Sequence, residues 1–386
     1  MSPQRTVHAP PPARRTVRVV LALLLVLGAC AVSPPRHLEL AASVTGLHVQ
    51  RNELVDGAGK TVRLTGFNHS GAEYACVEGW GIFDGAADPT AGMASWAGAN
   101  AVRLPLNEQC WLGLGTDPRY SGEAYRRAVS GLVSELSARH FAVILDLHRS
   151  APGTARSLNQ EPMPDRDHSL DFWHSVASTF GHSSTVLFDL FNEPAPYAPE
   201  NSARAWRCWR DGGCVLHSTN GGGDYVAAGM NELIATVRAT GARNVVLAGG
   251  IDYAEQLDDW QRYAPEDPAH NVAASFHDYS FNTVCAGPRC YDTVLSRLAA
   301  AVPLVVGEIG PDLDLSADAA DAHCPPDAVH GTAWATTAFD WMDAHRISYT
   351  AWTWNTWPSC WSLVRDWSGT PTPTWGAFVR GRLAHG

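Results

Sequence analysis

The chain has 386 residues, 45% of them apolar, and a formal net charge of -11. Its length suits one catalytic domain with loop insertions, since a (β/α)8 barrel needs roughly 250 residues before insertions. The acidic balance, with no basic run after the N-terminus, argues against a nucleic-acid partner, which requires clustered Lys and Arg.

The N-terminus reads as an export signal. Arg5, Arg14, Arg15 and Arg18 precede an apolar run from Val19 to Ala29 that is too short to span a bilayer comfortably. The run ends in Leu27-Gly28-Ala29-Cys30, which resembles a bacterial lipobox. Residues 1–30 are therefore expected to be a signal peptide, with Cys30 a lipidation candidate on a secreted or cell-surface lipoprotein; ordinary cleavage nearby is the alternative. Residues 31–45, with Pro34 and Pro35, read as a linker, and 46–386 as the catalytic domain. Of the nine Cys, setting Cys30 aside leaves an even number, as expected for disulfides in an oxidising compartment. Short loops suggest Cys208–Cys214 and Cys285–Cys290; Cys76–Cys110 and Cys324–Cys360 would then join neighbouring loops. No pair has C-x-x-C spacing, so a zinc site is not expected.

Eight short apolar runs follow in order: 62–67, 100–105, 141–147, 186–191, 244–249, 272–277, 303–308 and 347–354. Most are continuous apolar runs, as strands buried on both faces of a parallel sheet should be. Helical periodicity appears between them at 123–140, 169–180, 225–240 and 332–345. Alternation of β and α through eight units predicts an α/β fold closed as a TIM (β/α)8 barrel. No G-x-G-x-x-G turn follows the first run, which disfavours a dinucleotide-binding fold.

Polar residues recur at corresponding strand ends: Arg103, His148, Asn192-Glu193, His277, Glu308 and Trp354. In a barrel these ends open on one face. Two carboxylates there are the minimum for cleaving a glycosidic bond, one protonating the leaving oxygen and the other attacking the anomeric carbon or activating water. Glu193 is expected to be the acid/base and Glu308 the nucleophile, with the charge of Glu308 raising the pKa of Glu193. Arg103 and Tyr279 would hydrogen-bond Glu308, Asn192 the sugar 2-hydroxyl, and His148 and His277 would orient substrate and acid/base. Trp354, or Trp352 on the same strand face, would form the sugar floor; the 15 Trp of the chain suit pyranose faces, although many must only fill core. Arg103, His148 and Tyr279 each retain a purely structural alternative. Asp146 and Asp189 are read as structural, and Glu73, Glu108 and Glu161 as solvated loop charges.

Together the pieces Asn100-Ala-Val-Arg103-Leu-Pro, Ile144-Leu-Asp-Leu-His148, Phe188-Asp-Leu-Phe-Asn192-Glu193-Pro194, Phe276-His277-Asp-Tyr279, Val306-Gly-Glu308 and Ala351-Trp-Thr-Trp354-Asn resemble glycoside hydrolase family 5, the cellulase family of retaining barrel glycosidases. The resemblance runs from about residue 46 to the C-terminus. It implies a shared active-site set of Arg103, His148, Asn192, Glu193, His277, Tyr279, Glu308 and a strand-eight Trp, with no metal or organic cofactor. Arg149 after His148 and Pro311 after the nucleophile loop depart from the pattern and bear on subsites. The expected activity is hydrolysis of a β-linked glucan or glucoside by double displacement, in a monomer whose partner is a β-linked oligo- or polysaccharide. A β-mannanase or an exo-acting β-glycosidase is the alternative within the family, and a non-catalytic carbohydrate-binding surface lipoprotein the alternative outside it. The loops at 68–95, 149–167, 195–224 and 310–330 would decide substrate.

Overall fold

The computed structural model describes residues 43–85, 89–311 and 332–385. The export-signal and Cys30 readings, most of the linker, and Cys324 lie outside these residues. Eight parallel strands close a barrel in chain order: β1 (Thr65–Asn68), β2 (Ala101–Asn107), β3 (Ala142–Arg149), β4 (Val186–Asp189), β5 (Val246–Gly249), β6 (Val272–Tyr279), β7 (Leu304–Gly310) and β8 (Ser348–Ala351). Each predicted run supplies one strand. β8 pairs with β1, so the sheet has no open edge.

Side-chain alternation divides the strands between two environments. Val102, Val143 and Phe188 point outward into the apolar layer beneath the helices. Ala101, Ile144, Leu187, Leu247, Ala273 and Val305 form a second apolar cluster, which fills the N-terminal half of the barrel. Two residues further along the same face the interior turns polar, at Arg103, Asp146, Asp189 and Ser275, all buried. β1 and β2 approach so closely that a Cβ on Gly66 would lie 1.8 Å from the Ala101 carbonyl oxygen.

The helices follow the expected spacing. Glu123–Ala138 buries Tyr125, Val129, Leu132, Val133 and Leu136, one stripe of a 3.6-residue repeat. The helix expected over 225–240 is shorter, Met230–Ala239. Tyr225 instead lies in the strand Asp224–Val226, which pairs with Val215–His217 as a surface hairpin. The domain also begins earlier than residue 46. Val44 and Leu47 pack into the inner apolar cluster, and a hairpin of His48–Gln50 and Glu53–Val55 follows them. No helix among the described residues is long and apolar enough to cross a membrane.

Three of the four expected disulfides are present: Cys76–Cys110, Cys208–Cys214 and Cys285–Cys290. Cys360 is also disulfide-bonded. Cys76–Cys110 links the segments that follow β1 and β2 across a sequence separation of 34. Replacing both cysteines by Ala is expected to cost about 2–4 kcal/mol through the freed unfolded chain, read as a lower denaturant midpoint. An unchanged midpoint would mean that the bridge constrains nothing.

Candidate active site

The polar layer of the barrel is organised around Arg103, which is fully buried. Its Nε donates to Asp189 Oδ2 at 2.9 Å. Nη1 donates to Glu308 Oε1 at 2.7 Å and Asn68 Oδ1 at 3.0 Å. Nη2 donates to Asn192 Oδ1 at 2.8 Å and lies 3.0 Å from Asp146 Oδ2. Burial works against the guanidinium charge, but Asp146, Asp189 and Glu308 outweigh it and hold Arg103 firmly protonated. Burial likewise pushes Asp146 and Asp189 up to about 7 against the opposing pull of Arg103. Both aspartates surround one cation.

Glu308, near the end of β7, accepts from Arg103 and from the Tyr279 hydroxyl, the latter at 2.5 Å. Glu193 follows β4 and is held differently. Its Oε1 lies 2.9 Å from His277 Nδ1, and Gln160 Nε2 donates to its backbone carbonyl at 2.9 Å. The His277 Nδ1 is also 3.8 Å from Glu308 Oε2. Glu193 is pushed up to about 7, chiefly by burial, with the Gln160 side chain and Arg103 opposing. The rise was expected from the charge of Glu308; burial is its leading cause instead. Burial also drives His277 down to about 4 and His148 well below the usual imidazole range, so both rings are neutral at pH 7. His148 Nδ1 sits 2.7 Å from Asp146 Oδ2.

Strand eight resolves the choice between its two tryptophans. Trp352 lines the cleft and stacks on His148 with ring centroids 5.6 Å apart and planes 12° from parallel. Trp354 is fully buried against Phe67 at 4.6 Å and Trp96 at 5.1 Å, and it fills core. The expectation for Trp354 as sugar floor is therefore corrected: β8 ends at Ala351, and the polypeptide beyond it turns Trp352 to the cleft and carries Trp354 under the loops.

The cleft has a volume of about 390 Å³ and is lined by His148, Asn192, Glu193, Tyr279, Glu308 and Trp352 together with Gln160, Tyr253, Glu255, Phe281 and Trp361. The last five were not singled out from the sequence, since they stand on irregular segments with no periodicity to mark them. A further cavity of about 420 Å³ lies at the opposite end, bordered by Gly46, His48, Arg243 and Asn271, and no carboxylate lines it.

Glu73, Glu108 and Glu161 are buried rather than solvated. Glu73 Oε2 accepts the Gly71 amide at 2.6 Å, Glu108 Oε2 accepts from Ser169 Oγ at 2.6 Å, and Glu161 accepts from Ser218 Oγ, the Thr219 amide and Asn220 Nδ2. Glu108 and Glu161 each clamp a rim loop to a distant segment, since buried carboxyl groups need hydrogen-bond partners.

Among the described residues Glu193, His277 and Glu308 are the one set whose ligand atoms converge, all within 4.8 Å of one another. A cation there would face the Arg103 charge 2.7 Å from Glu308, and Glu308 already accepts from Tyr279. The arrangement suits proton transfer and nucleophilic attack better than metal binding.

The sequence profile of the family described as cellulase (glycosyl hydrolase family 5) matches residues 55–357. The chain is similar to endoglucanase MaCel5A of Microbulbifer sp. (strain ALW1), 25% identical over 317 residues, 79% of this chain and 50% of that protein. It is also similar to a mannan endo-1,4-beta-mannosidase of Streptomyces lividans, 22% identical over 353 residues, 88% of this chain and 73% of that protein. The chain thus spans half the length of the first relative. Among solved structures, β-glucanase SdGluc5_26A of Saccharophagus degradans in complex with cellotetraose has a TM-score of 0.66 at 20% identity, covering 88% of this chain and 93% of that one. The catalytic domain of a mannanase from Streptomyces sp. SirexAA-E has a TM-score of 0.60 at 21% identity, covering 91% and 93%. The barrel is the fold these proteins share.

The two tryptophans separate stability from binding. Trp354→Ala should cost about 3–5 kcal/mol of folding stability, read by denaturant unfolding. Trp352→Ala should unfold near the wild-type midpoint while oligosaccharide affinity falls at least about tenfold, read by calorimetry. The reverse pattern would reinstate Trp354 as the floor.

Proposed function

The chain belongs to glycosyl hydrolase family 5, and from that membership we propose that it is a retaining glycosidase, with Glu193 as general acid/base and Glu308 as nucleophile. The observation that carries this reading is the approach of the two carboxylates, one oxygen of each within 4.8 Å of the other. Retaining glycosidases hold their pair about 5–5.5 Å apart, whereas inverting enzymes leave room for a water between.

In the first step Glu308 attacks C1 of the bound sugar. The C1–oxygen bond breaks as Glu193 gives its proton to the leaving oxygen, and a covalent glycosyl ester forms on Glu308. Arg103 and Tyr279 hold the Glu308 carboxyl group aimed beforehand. Once the ester forms, Arg103 loses one compensating charge, and its pull on Glu193 favours the carboxylate. Glu193 then takes a proton from the water that attacks C1, the ester bond breaks, and both carboxyl groups return to their starting states. Asn192, fixed by Arg103, is positioned for the sugar 2-hydroxyl, a contact that strengthens at the oxocarbenium-like transition state.

The proposed substrate is a neutral β-linked glucan. Trp352, Tyr253, Phe281 and Trp361 supply faces for pyranose rings, and the charged side chains lining the cleft are all carboxylates, which disfavour polyuronates. A β-mannan is the second reading, favoured by similarity to the Streptomyces lividans mannosidase. Export is part of the proposal; the three disulfides support an oxidising compartment.

Incubation with β-1,4-gluco- and manno-oligosaccharides should give cleavage with retained anomeric configuration, read by NMR. Glu193→Gln and Glu308→Gln should each lose at least about 1000-fold in kcat while keeping the fold. Because Glu193 must carry its proton and is pushed up to about 7, kcat/KM should decline as pH rises through that value. Full turnover by either variant removes that residue from its role, and an inverted product removes the double displacement.

A further inference from the structure

Along β6 the residues facing the barrel interior are Ala273, Ser275 and His277. Ser275 and His277 are both 1% exposed. His277 engages Glu193 through Nδ1, whereas His277 Nε2 has no hydrogen-bond partner among the described residues. The same holds for Ser275 Oγ and Asp189 Oδ1. Ser275 Oγ and His277 Nε2 face one spot on β7: a Cβ on Gly307 would lie 2.8 Å from the hydroxyl and 3.0 Å from the ring nitrogen. Only glycine leaves both atoms their room. Asp189 is near enough for its charge to act on His277, and its other oxygen is already taken by Arg103 Nε.

We propose that Ser275 is a positioning residue that fixes the tautomer of His277, accepting the Nε2–H hydrogen bond in a chain that runs from His277 Nε2–H to Ser275 Oγ–H to Asp189 Oδ1 through enclosed water. The direction follows from satisfiability. A neutral imidazole has one donor and one acceptor nitrogen, a hydroxyl is both donor and acceptor, and an ionised carboxylate only accepts. With Asp189 at the end, kept in its carboxylate form against burial by the 2.9 Å ion pair with Arg103, the chain satisfies all three orphaned atoms only if Nε2 carries the hydrogen. His277 Nδ1 is then a lone pair, and it accepts the carboxyl proton of Glu193.

This arrangement serves both halves of the reaction, and it rests on Glu193 being the acid/base. Before cleavage, an accepting Nδ1 stabilises the protonated acid. After cleavage, the same lone pair faces the Glu193 carboxylate without donating to it, which keeps that carboxylate basic towards the attacking water. The opposite tautomer would donate to the Glu193 carboxylate, favouring loss of its proton before cleavage and weakening it as a base afterwards. The titratable groups facing His277 are Glu193 and Asp189 from β4 and its loop, Glu308 from β7, Arg103 from β2 and His148 from β3. Glu255 on the cleft wall also feels the Glu193 charge.

Two measurements test the proposal. Selective ¹⁵N-histidine labelling of the intact wild-type protein, with His277→Asn for assignment, should show His277 protonated at Nε2; protonation at Nδ1 overturns it. Ser275→Ala should shift the alkaline limb of kcat/KM for cellotetraose, or mannotetraose if that is the substrate cleaved, to lower pH. Activity at pH 8 should fall at least about threefold relative to wild type, with the pH 5 value within about twofold, and Ser275→Thr should restore the limb. A wild-type profile in Ser275→Ala sinks the proposal. If Glu193→Gln keeps its turnover, it is instead the acid/base assignment that has failed. The tautomer measurement needs only the wild-type protein, so it stands even if a Ser275 variant does not fold.

Discussion

One buried guanidinium sets the terms for this site. Arg103 lies in the barrel interior with Asp146, Asp189 and Glu308 around it. Isolated charges of either sign are costly to bury, and removing one member of such a cluster leaves the others uncompensated. The four side chains come from strands two, three, four and seven, so their meeting depends on strand register. The register pairs Pro105 with Asp146 and Asp146 with Asp189. A slip of one residue would turn these side chains into the apolar layer under the helices.

The same cluster separates the surroundings of Glu193 from those of Glu308. Glu308 receives two strong donors, one cationic and one phenolic. Glu193 receives a neutral imidazole and sits within reach of the Gln160 amide. Donors to the charged form favour ionisation, and burial without them favours the proton. Two chemically identical side chains less than 5 Å apart are thereby given opposite tasks by their surroundings. Tyr279 strengthens the division. Burial and the adjoining carboxylates hold its phenol well above the usual range, so it remains a donor to Glu308.

The frame of this arrangement was legible in the sequence because the barrel makes local demands. Each strand is buried on both faces and must read as an apolar run, and a polar residue within or after such a run stands out. Arg103, His148, Glu193, His277 and Glu308 were found in that way. The loops obey a different rule. Whether Glu73, Glu108 or Glu161 is solvated depends on which distant segment folds over it, and their donors Ser169, Ser218 and Asn220 are 50 or more residues away for two of the three. Glu73 takes its donor from Gly71 and is buried by its neighbours. The cleft-lining residues Tyr253, Glu255 and Phe281 escaped notice for a related reason, since they lie beyond strand ends where neither the two-residue nor the 3.6-residue period applies. Trp352 and Trp354 show the finest limit. Their spacing placed both on one strand face, but β8 ends at Ala351, and alternation no longer governs the chain beyond it.

The buried loop carboxylates bear on how substrate is chosen. Glu161 ties the loop after β3 to the hairpin of the β4–β5 connection, and Glu108 ties the segment after β2 to the helix Ser169–Phe180. Buried hydrogen bonds are expensive to break, since a carboxyl group left without its partner stays desolvated. The rim they hold is therefore preorganised rather than adaptive. Tyr74 packs against Trp80 and Trp357, with Arg149 over the Tyr74 ring, and Tyr253 and Phe281 of the cleft lining are half exposed. The departure at Arg149 from the family pattern falls on this rim and not in the catalytic pair. Changes in the loops can thus alter the rim without touching the Arg103 cluster, where loss of one charge leaves its buried partners uncompensated.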